Sequence, residues 1–96
     1  MSIQVIVTFE AKPQSLEAFS EIMRTVKAAL PTAPGCEGVR IFRGAEAPEV
    51  FTLVETWRDK EAHRAHVGAL VEAGEWARIA SHLACEPTSR YFDPLF

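Results

Sequence analysis

The sequence predicts an α+β domain with the ferredoxin-like β-α-β-β-α-β order, in which a four-stranded antiparallel sheet carries both helices on one face. Three observations predict it. Residues 2–10 are rich in β-branched side chains and alternate with a period of two, and Val50 to Trp57 reads as a strong strand. Stretches beginning at Leu16 and Lys60 carry apolar residues at helical spacing. A Gly-Ala-Glu-Ala-Pro loop at 44–48 reads as the turn of a hairpin between the two middle strands.

The elements follow in order. Ile3, Val5, Val7 and Phe9 point one way from the first strand, and Gln4, Ile6 and Thr8 the other. Ala11-Lys12-Pro13-Gln14 breaks that strand, and Ser15 is expected to cap a helix whose acidic Glu17 and Glu21 suit its positive end. Leu16, Phe19, Met23, Val26 and Leu30 form its apolar face until Pro31, Pro34 and Gly35 end it. Gly38 to Arg43 is a short second strand and Val50 to Trp57 a strong third. Asp59 is a good N-cap for a helix from Lys60 to about Leu70, its inward face marked by Ala62, Ala65, His66, Ala69 and Leu70. Beyond Gly74 a further helical stretch holds Trp76, Ile79, Ala80 and Leu83, Pro87 stops it, and Thr88 to Phe92 forms the last strand. Residues 1–96 read as one domain without repeat or linker.

Composition narrows the function. A chain of 96 residues is short; a domain of this size buries only about 60–70% of its unfolded surface. An internal pocket competes with such a core, and a partner subunit would ease the conflict. The net charge of −3 and the absence of basic residues interleaved with aromatics on the sheet disfavour a nucleic-acid or adaptor role. Cys36 and Cys85 match no metal or redox spacing. With no cationic apolar leader and no membrane-length apolar run, a cytoplasmic protein with two reduced thiols is expected.

The strands raise a further point. Phe51, Leu53, Glu55 and Trp57 line one face of the third strand, and Val50, Thr52, Val54 and Thr56 the other, while Ile6 opposes Val5 and Val7 on the first. A sheet apolar on both sides must bury both, so a two-fold homodimer packed sheet on sheet is expected.

Several residues could carry chemistry. Glu55 and Trp57 share a face with Phe51 and Leu53, and a carboxylate among apolar neighbours needs a partner. Arg40, Arg58 or a backbone amide would give Glu55 a structural role; orienting His66, or acting as a base, would give it a catalytic one. Trp57 suits the core or a platform for a flat aromatic substrate. His66 lies among small residues on the inward helix face and can accept a phenolic proton, or serve structurally. His63 precedes it by one helical turn, but the pair lacks a fixed third ligand, so no metal is expected and His63 reads as a solvated residue. Trp76 belongs to a core stripe or closes the pocket's side. Arg90 and Tyr91 alternate faces, so only one can reach the pocket, where Tyr91 could donate a hydrogen bond. Arg40 and Phe42 share a face and could line the pocket or an interface.

Pro34-Gly35-Cys36-Glu37-Gly38, then Phe51 to Trp57, Glu61-Ala62 and His66, resemble the antibiotic biosynthesis monooxygenase family, and Glu86 to Pro94 is similar to its last strand, so the resemblance runs the length of the chain. It implies a dimeric α+β barrel, with a pocket between helices and sheet in each subunit. It further implies cofactor-independent oxygenation of a small aromatic molecule such as an anthrone or quinol, without metal or flavin. On this reading His66 and Glu55 are catalytic, and Trp57, Trp76, Phe51, Tyr91 and Arg40 bind substrate. A second branch of the family degrades haem with an asparagine-tryptophan-histidine set, and the anthrone oxygenases also use an asparagine. This sequence has no asparagine, and Trp76 stands roughly where the axial histidine would be. Haem degradation is therefore the weaker expectation, and a non-catalytic dimer binding a small apolar molecule is the alternative.

Overall fold

Period-two patterning builds the sheet. In the computed structural model, which describes residues 2–96, β1 (Ile3–Glu10) buries Ile3, Val5, Val7 and Phe9 and leaves the intervening residues half-buried. β3 (Val50–Trp57) runs antiparallel to it with Val5 opposite Glu55 and Val7 opposite Leu53, and shows the same alternation. β2 (Cys36–Arg43) flanks β3, and β4 (Thr88–Phe92) flanks β1, giving the order β2-β3-β1-β4. All neighbouring strands are antiparallel, so the fold is α+β with ferredoxin-like topology and an open sheet.

The helices α1 (Leu16–Ala29), α2 (Lys60–Glu72) and the short α3 (Glu75–Ala80) cover the face that carries Val5, Val7, Leu53 and Trp57. Phe19 of α1 is fully buried and meets Phe9 edge-on at 5.5 Å and Phe51 at 5.0 Å between ring centroids. These three rings fill one end of the layer. At the other end α2 is held close by Gly35, whose φ of +84° and lack of a side chain are both needed there. A Cβ at Gly35 would lie 2.5 Å from that of Ala62, and the Gly35 carbonyl accepts from the Arg58 amide at 2.8 Å. Asp59 caps α2 as expected, accepting from the Ala62 amide at 2.8 Å.

Three local expectations change. Ser15 does not cap α1; its hydroxyl lies 3.1 Å from His82 Nδ1, and the chain enters the helix through a 3-10 turn at Pro13–Ser15. β2 begins two residues earlier than expected, at Cys36, and reaches its register across an irregularity before Gly38. On α2 the inward residues are Ala62, His63, His66 and Leu70, whereas Ala65 and Ala69 face solvent. Alanines give no directional signal in a helix, so their spacing pointed to the wrong flank.

Candidate active site

Between α1, α2 and α3 and the covered sheet face lies a cavity of about 370 Å³. It exists because the Phe9–Phe19–Phe51 cluster fills only one end of the layer. At the other end the walls are mainly aliphatic: Val7 and Leu53 from the sheet, Ile22 and Val26 from α1, Ile79 from α3. Trp76 closes one side and stacks tilted on Phe9 at 6.4 Å. At the rim stand Thr25 of α1 and the ion pair of Arg78 with Glu75, 2.9 Å apart. A mostly apolar concavity with few polar groups is the usual form of a small-molecule site.

The polar groups converge on one wall. Glu55 is buried at 6% exposure, and its Oε1 accepts from the Trp57 indole Nε1 at 2.7 Å. That bond replaces the expected partners: Arg40 lies on the other face, and Arg58 pairs with exposed Asp59 at 3.0 Å. Burial pushes the Glu55 carboxyl above its ordinary value, and the indole hydrogen bond opposes the shift.

His63 and His66 of α2 line the same wall, with centroids 5.4 and 5.3 Å from the Trp57 ring. Burial holds His66 below the usual imidazole range; for His63 the charges of His66 and Arg64 add to the same effect. Both rings are therefore neutral at neutral pH. His63 is buried rather than solvated, at 9% exposure, and its Nδ1 lies 2.8 Å from the Tyr91 hydroxyl. The sequence reading missed it. The usable signal was the spacing 62, 63, 66 and 70, a stripe that closes only once Trp57 fixes which flank of α2 is covered.

The remaining candidates divide. Glu55, His66 and Trp76 line the cavity. Trp57, fully buried, stands behind the two imidazoles as their support rather than as an open platform. Tyr91, opposite Val5, is on the covered face and acts on the wall through His63, while Arg90, opposite Ile6, is on the open face. Phe51 belongs to the core beneath Phe19. Arg40 does not reach the cavity: opposite Val54 it faces the open side, 5.0 Å above the Phe42 ring, because period two sets it against Val39 and Ile41. Cys36 is half-buried, Cys85 is exposed, and both are free thiols. Among the described residues no group of three or more His, Cys, Asp or Glu side chains is placed to hold a metal ion.

The wall thus offers a buried carboxyl raised above its ordinary value and two imidazoles held below theirs, beside a mostly apolar space. Such a set can hold a phenolic oxygen, accept its proton and return one.

The comparisons with known proteins bear on the fold and the family. The family model described as antibiotic biosynthesis monooxygenase matches residues 2–71, so α3 and β4 lie outside the matched segment. No curated protein matches the sequence. Among solved structures, an antibiotic biosynthesis monooxygenase superposes with a TM-score of 0.86 at 20% identity, covering 97% of this chain and 98% of its own. Rv0793 from Mycobacterium tuberculosis gives 0.86 at 19% identity over 100% and 97%. A variant of SnoaB, a cofactor-independent oxygenase from Streptomyces nogalater, gives 0.82 at 12% identity over 99% and 94%. At these identities the structures establish the fold, and the family model, spanning most of the sequence, establishes the relationship: the chain belongs to the antibiotic biosynthesis monooxygenase family.

Proposed function

We propose that the cavity is the site of a cofactor-independent monooxygenation of a small aromatic substrate of the quinol or anthrone class. The observation that carries this reading is the cavity itself: mainly aliphatic walls closed at one side by Trp76, and on another wall Glu55, whose carboxyl burial raises, with His63 and His66, whose imidazoles burial lowers. The similarity to SnoaB is consistent with it. A phenolic proton passes to an imidazole of α2, with His66 and Glu55 as the residues that the sequence singles out. The resulting anion is electron-rich enough to reduce dioxygen. For an anthrone-type methylene, one oxygen atom becomes the new carbonyl and the other leaves as water, so the substrate is the only reductant. The apolar walls keep bulk water from the intermediate, and Glu55, when protonated, donates a hydrogen bond to the substrate oxygen.

The chain acts, in this proposal, as a cytoplasmic homodimer joined through the open sheet face. That face presents Ile6 and Val54, with Phe42 and Phe92 each 45% exposed at its edges. A second copy of the same surface would cover them. Among the described residues no helix is long and apolar enough to cross a membrane.

Oxygen uptake with a panel of quinols, anthrones and catechols, chelator present, tests the activity. Uptake by the wild type and its loss in Ala29→Trp, which fills the cavity from α1, is the expected result. Saturable binding without uptake would instead identify a small-molecule carrier, and neither binding nor uptake would dispose of the site.

A further inference from the structure

The two imidazoles of α2 are not equivalent. His66 leans on Trp57, and no hydrogen bond to protein fixes either of its ring nitrogens among the described residues. His63 is clamped. Its ring meets Trp57 at 5.4 Å and 67° on one side and Tyr91 at 5.4 Å and 89° on the other, and its Nδ1 is held at 2.8 Å by the Tyr91 hydroxyl. With Nδ1 taken, Nε2 is the nitrogen left for a molecule in the cavity that His63 lines.

We infer that Tyr91 is a positioning residue acting through His63, and that this pair, rather than His66, takes the proton of a bound phenol. The inference rests on the cavity being a phenol site. A neutral imidazole has one N–H donor and one acceptor, and a hydroxyl can play either part. When Tyr91 donates to Nδ1, Nε2 carries the hydrogen and donates into the cavity. In the other tautomer, reached when Nε2–H gives its proton to water and Nδ1 takes one from water, the hydroxyl rotates to accept from Nδ1–H and Nε2 is the acceptor. A phenol then gives its proton to Nε2, leaving phenolate and an imidazolium whose Nδ1–H stays on Tyr91. No other bond changes. The Tyr91 hydroxyl thus supports both the resting and the proton-accepting ring without any movement of the backbone.

The charged and titratable groups around the pair fit this role. Arg64 and Lys60 lie 5.8 and 5.5 Å from the Tyr91 ring centroid. Burial first, then the charges of His66 and Arg64, disfavour a resting imidazolium, so His63 waits unprotonated. Glu55 on β3 lines the same cavity, its carboxyl raised by burial and its Oε1 occupied by the Trp57 indole. The imidazolium forms only when the phenolate appears beside it. An acceptor oriented by a hydrogen bond on its far nitrogen is the arrangement that makes proton transfer efficient.

The test combines nitrogen NMR of the histidine rings with kinetics, using 1-naphthol as the phenol probe. In the wild type, saturating 1-naphthol should move the His63 Nε2 signal toward the acceptor or imidazolium position, while the His66 ring signals stay outside the imidazolium range. In Tyr91→Phe, which keeps the ring and its packing, His63 should lose its defined tautomer and its response. On an oxidisable quinol, Tyr91→Phe should lower kcat about tenfold with KM within about twofold, and His63→Gln about a hundredfold. His66→Gln should act mainly on KM. A Tyr91 of purely structural importance would lower the melting temperature without moving the tautomer response or splitting kcat from KM. Overturning results would be a His63 signal indifferent to 1-naphthol in the wild type, or identical responses in wild type and Tyr91→Phe. The NMR arm decides the pairing even for a wild type that takes up no oxygen, which would count against the oxygenase reading alone.

Discussion

The two faces of the sheet use the same strands for different ends. On the covered face, β3 presents Phe51, Leu53, Glu55 and Trp57, all buried, and β1 answers with Val5 and Val7. On the open face the same strands present Thr52, Val54 and Thr56 against Thr8, Ile6 and Gln4, all half-buried. There the polar groups satisfy one another across the strands: Thr8 and Thr52 hydroxyls are 3.1 Å apart, and Thr56 donates to Gln4 Oε1 at 2.9 Å. The open face is therefore mixed in polarity, with these hydroxyl and amide groups paired within the sheet. The covered face puts its polar atoms where no water replaces a lost partner. The difference teaches where chemistry can be held: a buried carboxyl and two desolvated imidazoles have shifted protonation only because helices cover them.

The largest expected effect tests the covered face. Trp57→Ala removes the support of both imidazoles and the partner of Glu55, and should cost about 3–5 kcal/mol in denaturant unfolding. Thr52→Ala, on the open face of the same strand, should cost about 1 kcal/mol or less. Equal losses would erase the distinction between the faces.

Next comes Glu55. Glu55→Leu leaves the buried indole N–H without an acceptor and should cost about 1–3 kcal/mol. Glu55→Gln keeps an oxygen for it and should be nearly neutral at acid pH. Because the folded carboxyl is raised above its ordinary value of 4.5, its favourable contribution is present below that pH and is lost as pH rises through the folded value. The glutamine variant should therefore gain on the wild type as pH rises, and melting curves from pH 4 to 8 check it. His63 has the opposite sign. Its folded value is below 6.5, so the folded protein loses stability as pH falls beneath 6.5, and His63→Gln should flatten that limb.

Val54→Lys sharpens the comparison from the other side. A charge in the middle of the open face should give the mass of one chain by light scattering, with ligand binding in the cavity retained. A wild type that already has the mass of one chain would remove the dimer.

Much of this was legible beforehand because strands declare their faces. The alternation of Val50–Trp57 placed Glu55 and Trp57 together, and Asp59 marked the start of α2. What the sequence hid were matters of long range or weak local signal. The Ser15 hydroxyl is taken by His82, 67 positions away, which no local rule anticipates. Arg40 and Phe42 share a face by parity, but which face depends on the register set beyond the irregularity at Gly38. The inward flank of α2 was blurred by alanines that fit either side, so His63 looked solvated and His66 stood alone. Trp57 touches both rings, and only the tertiary contact with Tyr91 distinguishes them.

The most direct test of the central claim, that the helix-covered face and not the open one receives the aromatic substrate, is an amide chemical-shift map with 1-naphthol. The account predicts perturbations at Val7, Ile22, Leu53, His63, His66 and Trp76, with little change at Thr8, Arg40 and Thr52. Shifts concentrated on the open-face residues, with the cavity wall silent, would contradict it.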